Sequence, residues 1–126
     1  MISSNLPNGR VEIVLQRAYT LGGDATIPLT VVATRGSVAG PVAAKVLASG
    51  IGEGGPAEAL VRTLATSAVT AMAGQSRTTS VSWDGHDEKG VLVPADAYSL
   101  VLEFDVEDRG SMQRATATAT LQMSAP

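Results

Sequence analysis

Two stretches in which every second residue is apolar constrain the fold of this chain more than any other feature. Residues 98–106 place Tyr98, Leu100, Leu102, Phe104 and Val106 at alternate positions, with Ser99, Val101, Glu103 and Asp105 between them. In residues 114–123 the apolar residues Ala115, Ala117, Ala119, Leu121 and Met123 alternate with the polar residues Arg114, Thr116, Thr118, Thr120 and Gln122. A period of two is typical of a β-strand with one buried face. The second stretch therefore predicts a strand whose outer face is a row of threonines.

Five further segments have the composition of strands and are separated by turn residues. They cover residues 10–19, 27–33, 41–49, 59–65 and 78–83. Residues 41–49 contain good helix formers, but Pro41 and the short length favour a strand. Residues 66–77 are small and polar, and they suit either one helical turn or an irregular crossover. The pattern predicts an all-β chain, an immunoglobulin-like or fibronectin III-like antiparallel β-sandwich of about seven strands.

Length and charge limit the domain organisation and the classes of function. The 126 residues fit one domain over residues 10–126, after a flexible N-terminal arm over residues 1–9. The net charge is −3 and no cluster of basic residues exists, which argues against nucleic acid as a partner. There is no cysteine, so neither a disulfide nor a thiolate site is available. No apolar run is long enough to span a membrane.

The first seven residues lack the basic and apolar segments of a secretory signal. We therefore expect one of three origins: a domain of a longer exported protein, a mature subunit with an added start codon, or a protein exported without a cleaved signal.

The segment between Trp83 and Tyr98 carries a family resemblance. Its pattern is Trp-Asp-Gly-x-Asp-x-x-Gly-x-x-Val-Pro-x-x-x-Tyr, and Val-Arg-Thr-Leu precedes it at residues 61–64. Over about residues 60–106 the chain resembles the flagellar hook-cap (FlgD-like) immunoglobulin-like domain. Ala95-Asp96 replaces the usual Ser-Gly of that family, and Asp tolerates a left-handed turn position better than most residues. The resemblance implies the fold, use in hook-cap proteins or as accessory modules of secreted bacterial proteins, and no catalytic residue.

Two aromatic residues of this segment are candidates for a binding face. Trp83 ends an alternating strand, where a tryptophan fills the core more often than it stacks on a ligand. Tyr98 follows a Pro-containing connection, the setting of a tyrosine corner, in which the hydroxyl bonds a nearby backbone group. We predict that both are structural.

The acidic loop between these two residues is a second candidate site. Asp84, Asp87 and Glu88 could supply oxygen ligands to Ca²⁺, but the alternate acidic spacing of an EF-hand is absent. We predict that Asp84 and Asp87 cap turns and that Glu88 is solvated. His86, the only histidine, is predicted to be a surface residue of the turn, since no nucleophile motif accompanies it. No catalytic, cofactor or metal residue is predicted, and the protein is expected not to be an enzyme.

Contact with other protein chains is the function that the sequence favours. An alternating strand at residues 114–123 could pair with a neighbouring chain through its edge, and the glycine-rich loop over residues 50–56 could add a contact. We expect a structural or assembly module of an exported bacterial appendage or surface protein, located outside the cell or at its surface. The alternative is an accessory module of a secreted protein that binds a glycan or another ligand.

Overall fold

The computed structural model describes the backbone of residues 2–52 and 55–126, and the side chains of residues 2–48 and 60–126. Within these ranges the chain forms ten β-strands and no helix. In chain order the strands are β1 (Ile2–Leu6), β2 (Gly9–Ile13), β3 (Tyr19–Thr20), β4 (Ala25–Ala33), β5 (Ser37–Gly52), β6 (Gly55–Leu64), β7 (Val69–Met72), β8 (Ser76–Trp83), β9 (Asp96–Asp108) and β10 (Ser111–Ser124).

The strands form two sheets that pack face to face as a sandwich. The first sheet has the order β1-β2-β4-β8, and the second has the order β3-β10-β9-β5-β6, with β7 pairing the start of β5. Every pairing is antiparallel except the short contact of β3 with β10, which is parallel. The all-β sandwich predicted from the sequence is confirmed, with ten strands in place of about seven.

The core lies between the sheets and is built by the two alternating stretches. Strand β9 buries Tyr98, Leu100, Leu102, Phe104 and Val106, and β10 buries Ala117, Ala119, Leu121 and Met123 on the same side. Strand β4 of the other sheet supplies Ile27, Leu29 and Val31, which are almost fully buried. Apolar burial of this extent is the main stabilising contribution to a sandwich with few aromatic residues.

The structure differs from the sequence prediction in two segments, one in each sheet. Residues 2–6, predicted as part of a loose arm, form β1 and pair with β2 from Ile2 opposite Ile13 to Leu6 opposite Gly9. Residues 69–72, predicted as a helical turn or crossover, form β7. Residues 41–49 lie within strand β5, as predicted. In the predicted loop over residues 50–56, residues 50–52 and 55–56 belong to β5 and β6, and residues 53–54 lie outside the described residues.

A buried asparagine fixes the N-terminal hairpin to the rest of the sandwich. Asn8 lies in the turn between β1 and β2 and is 1% exposed. Its side-chain Nδ2 donates to the carbonyls of Ser37 and Glu107, at 2.9 and 2.7 Å. Gly36 next to them has φ +58°, and a Cβ there would lie 1.9 Å from the Glu107 carbonyl oxygen. These contacts hold β1 in position. Residues 2–6 are therefore an ordered strand and not the flexible arm that the sequence predicted.

Candidate protein-interaction site

Strand β10 is paired on one side only over most of its length. On that side it pairs with β9 from Ser111 to Met123 without a register shift. On its other side it pairs only with β3, through Met123 and Ser124. Among the described residues, then, the stretch of β10 before residue 123 is an edge of the second sheet. Such an edge can accept an additional strand.

The direction of the free backbone groups follows from one hydrogen bond. The N–H of Leu21 donates to the carbonyl of Ser124 at 2.9 Å, so the Ser124 carbonyl points away from β9. Backbone groups alternate sides along a regular antiparallel strand, and the pairing with β9 is regular. The even-numbered residues Thr116, Thr118 and Thr120 therefore direct both N–H and C=O outward. These three residues form the open edge.

The side chains along the open edge keep to the predicted alternation. Thr116, Thr118 and Thr120 are exposed on the outer face, whereas Ala117 and Ala119 are buried. The row of outward threonines predicted from the sequence is confirmed.

A cleft of about 430 Å³ opens beside this edge. It is lined by Ile2, Leu15, Ser99, Val101, Thr118, Ala119 and Thr120. Ile2 is 40% exposed, and Leu15 packs partly against the core. The cleft is thus lined by uncharged residues, with hydroxyl groups from β9 and β10 and apolar groups that include Ile2 of β1 and Leu15 after β2. An extended segment with small or apolar side chains has the chemistry to occupy it.

The acidic loop of residues 84–91 covers part of the other edge of the same sheet, at residues 61–63 of β6. The backbone N–H of Glu88 donates to the carbonyl of Val61 at 3.0 Å, and Glu88 Oε1 accepts from the N–H of Thr63 at 2.6 Å. Arg62 Nη1 donates to the Asp87 carbonyl at 3.1 Å. The loop therefore satisfies edge groups of β6 that a further strand would need.

Two turn caps hold the acidic loop in its shape. Asp84 Oδ1 accepts from the N–H of His86, and Asp87 Oδ1 accepts from the N–H groups of Lys89 and Val91. The hydrogen bond from the His86 N–H lowers the pKa of Asp84; desolvation opposes this effect, and the Arg62 charge adds a further lowering. The bond from Val91 does the same for the pKa of Asp87. Turn capping by both aspartates is confirmed.

Glu88 has a role that the sequence analysis did not predict. Its side chain is exposed, in agreement with the predicted solvation, and its carboxylate also accepts a hydrogen bond from the N–H of Thr63. The partner belongs to a strand 25 positions earlier in the chain, so local sequence gives no sign of this contact.

His86 lies half-buried in the turn. Its ring Nδ1 is 3.2 Å from the Asp84 carbonyl oxygen and 3.5 Å from Asp84 Oδ1. Its backbone carbonyl accepts a hydrogen bond from Trp83 Nε1 at 2.9 Å. Across the described residues, no group of three His, Asp or Glu side chains has the arrangement of a metal site.

Trp83 and Tyr98 are core residues, as predicted. Trp83 is 1% exposed and meets Tyr98 edge-on, with ring centroids 5.3 Å apart and an interplanar angle of 72°. The Tyr98 hydroxyl donates to the Pro94 carbonyl, which is the bond of a tyrosine corner. Burial raises the pKa of Tyr98, with a smaller contribution from the Asp96 charge. The remaining aromatic residues, Tyr19 and Phe104, are also buried, so every aromatic ring of the sequence lies inside.

Comparison with known proteins supports the fold and leaves the family open. No protein-family model matches the chain, and no curated protein matches it. The chain is similar in structure to Spo0M, the sporulation control protein of Bacillus subtilis, with a TM-score of 0.60 and 10% sequence identity. The match covers 96% of this chain and 51% of the Spo0M chain, so this chain spans about half of that protein. At this identity the similarity concerns the sandwich fold alone, and the resemblance to the hook-cap domain stays a prediction.

None of the described ranges holds a helix with the length and apolar character needed to cross a bilayer.

The sequence predicted β10 as the contact strand but missed the walls of its cleft. Ile2 and Leu15 reach the cleft because β1 pairs with β2 and the chain then crosses to β3 beside β10. The only local signal for this arrangement was the Pro7-Asn8-Gly9 turn, which separates two short alternating segments.

Proposed function

We propose that this protein is a non-enzymatic structural or assembly module that acts by binding other protein chains through the open edge of β10. The single observation that carries the proposal is the outward direction of the backbone N–H and C=O groups of Thr116, Thr118 and Thr120. Groups of this kind bind an added strand by backbone hydrogen bonds, without a preformed pocket for a small molecule.

The contrast between the two edges of the second sheet supports the same proposal. Proteins commonly cover or charge their sheet edges to avoid unwanted pairing. Here the acidic loop covers β6 at residues 61–63, whereas the β10 edge has threonines and an uncharged cleft beside it. An edge left open while its counterpart is covered is the arrangement expected of a binding edge.

The wider setting that we propose rests on the sequence resemblance. The pattern from Trp83 to Tyr98 resembles the hook-cap immunoglobulin-like domain, which suggests an exported bacterial appendage or surface protein outside the cell. In that setting the protein would bind appendage components or copies of itself, without a cofactor.

A ligand-binding accessory module is the second candidate, and the cleft beside β10 is the observation that favours it. Its lining carries the hydroxyls of Ser99, Thr118 and Thr120, which could bond a polar ligand. Sugar-binding faces commonly stack the ring on an aromatic side chain, and all four aromatic residues of this chain are buried.

A displayed library of short peptides and a panel of oligosaccharides distinguish the two candidates. We expect selected peptides to bind the wild-type protein and to lose binding to Thr118→Pro, because proline removes an outward N–H while leaving the bonds of β10 to β9. Thr118→Ala is the matched control, since it keeps the N–H and loses only the hydroxyl and methyl groups. Peptide binding unaffected by proline, together with micromolar binding of a glycan, would replace the assembly function with the accessory one.

A further inference from the structure

We infer that the occupant of the β10 edge is a second copy of this chain, paired antiparallel about a two-fold axis at Thr118. The inference rests on the proposed function and names its partner. The two six-stranded sheets then become one continuous sheet across the dimer, with β10 of each copy at the centre.

The register follows from which backbone groups are free. Thr116, Thr118 and Thr120 point outward, and β3 occupies the strand at Met123 and Ser124. When Thr118 faces Thr118 of the other copy, Thr116 faces Thr120 and all three outward threonines of each strand are used. Each such pair exchanges two backbone hydrogen bonds, which gives about six in total.

The side chains that meet in this register are compatible. On the outer face threonine meets threonine, a cross-strand pair that is favourable in antiparallel sheets. Arg114 would face Gln122, so no like charges are opposed. Arg114 is also neutralised within its own copy, at 2.7 Å from Asp105 and 3.5 Å from Glu103.

Space and apolar surface are available at the same place. The cleft of about 430 Å³ at Thr118–Thr120 is volume that this chain's own atoms leave empty. Ile2, Leu15 and Val101 line it, so the incoming copy gains apolar contact as well as hydrogen bonds. A lasting interface needs roughly 1,000 Å² in total, and these residues of both copies contribute to it.

The loop contacts on β6 favour a closed dimer over an open, head-to-tail filament. Pairing β10 with β6 of another copy would repeat head to tail and produce a filament. The hydrogen bonds of Glu88 to Val61 and Thr63 occupy that edge at residues 61–63, which disfavours head-to-tail pairing there relative to pairing of β10 with its own equivalent. The inferred product is a dimer, with twice the chain mass of 12.8 kDa.

Single cysteines in this naturally cysteine-free chain test the register directly. Opposed residues of a hydrogen-bonded antiparallel pair have Cα atoms about 5.5 Å apart, within the range that a disulfide bridges. Thr118→Cys should therefore be converted by mild oxidation to a disulfide-linked dimer. Thr116→Cys, on the same face and also exposed, faces residue 120 of the partner and should form no disulfide cross-link with itself over the same time.

A mixture of Thr116→Cys and Thr120→Cys should give the mixed dimer, and sedimentation of the unmodified protein should give twice the chain mass at high concentration. Equal cross-linking of Thr118→Cys and Thr116→Cys would overturn the inference, as would a protein that stays monomeric throughout. In either case the peptide-binding result with Thr118→Pro decides the proposed function separately, because a foreign strand can use the edge without self-pairing.

Discussion

The carboxylate of Glu88 accepts a hydrogen bond from the backbone N–H of Thr63 at 2.6 Å, across 25 positions of the chain. The contact places an acidic loop where a neighbouring strand would otherwise pair with β6. The same loop is anchored by the Glu88 N–H on the Val61 carbonyl. One sheet therefore has an edge covered at residues 61–63 of β6 and an open edge along β10.

Removing the Glu88 carboxylate should weaken the cover on β6. We expect Glu88→Ala to lower the free energy of unfolding by up to about 1 kcal/mol, because the Thr63 N–H then bonds water. It should also produce species larger than a dimer, since a second edge becomes available. Thermal unfolding and sedimentation measure the two effects. Lys89→Ala, an exposed neighbour in the loop, is the control, and an identical mass distribution for both variants would refute the guarding role.

Trp83 should be among the most sensitive positions of the core. Trp83→Ala removes a side chain that is 1% exposed and packs on Tyr98, so we expect a loss of about 3–5 kcal/mol. Ser80→Ala on the exposed face of the same strand should change stability by less than about 0.5 kcal/mol. Chemical denaturation compares the two. A loss below about 1 kcal/mol for Trp83→Ala would mean that the ring is not in the core.

The hydrogen bond from the Tyr98 hydroxyl to the Pro94 carbonyl should contribute to the free energy of unfolding. Tyr98→Phe leaves the Pro94 carbonyl without its donor and should cost about 1 kcal/mol. Burial raises the pKa of Tyr98 above its ordinary value of 10.0, so the folded state favours the neutral hydroxyl. That contribution is present below pH 10 and is lost as the pH rises through the raised pKa. The stability difference between wild type and Tyr98→Phe should shrink at alkaline pH, and a difference that grows there would contradict the assignment.

The ionised carboxylate of Asp87 should stabilise the folded protein at neutral pH and lose this effect as the pH falls. Its hydrogen bonds from Val91 and Lys89 lower its pKa below the ordinary value of 3.8, so the folded state favours the ionised form. The stabilisation is present above that value and is lost as the pH falls through the lowered pKa. Melting temperatures of wild type and Asp87→Asn should therefore converge in acid, because asparagine keeps the acceptor without the charge. A difference that stays constant between neutral and acid pH would argue against this role.

Local patterns predicted the parts of the molecule that depend on local periodicity. The alternation in β9 and β10 identified which side chains of each strand are buried, and the Pro-containing connection identified Tyr98 as a corner. The partners of Asn8 and Glu88 were not predictable, because both bond backbone groups far along the chain. Strand β1 was missed for a related reason. Its segment, Ile-Ser-Ser-Asn-Leu, is mostly polar, and the ladder with β2 and the anchoring of Asn8 hold it in place.

Amide hydrogen exchange at residues 116–120, followed by NMR over a range of protein concentration, tests whether the protein associates through the edge of β10. We expect Ala117 and Ala119 to be protected at every concentration, because their N–H groups bond to β9. Thr118 should exchange freely in dilute protein and become protected as the concentration rises. Protection of Thr118 equal to that of Ala117 in the most dilute sample, or free exchange of Thr118 in the most concentrated one, would contradict association through this edge.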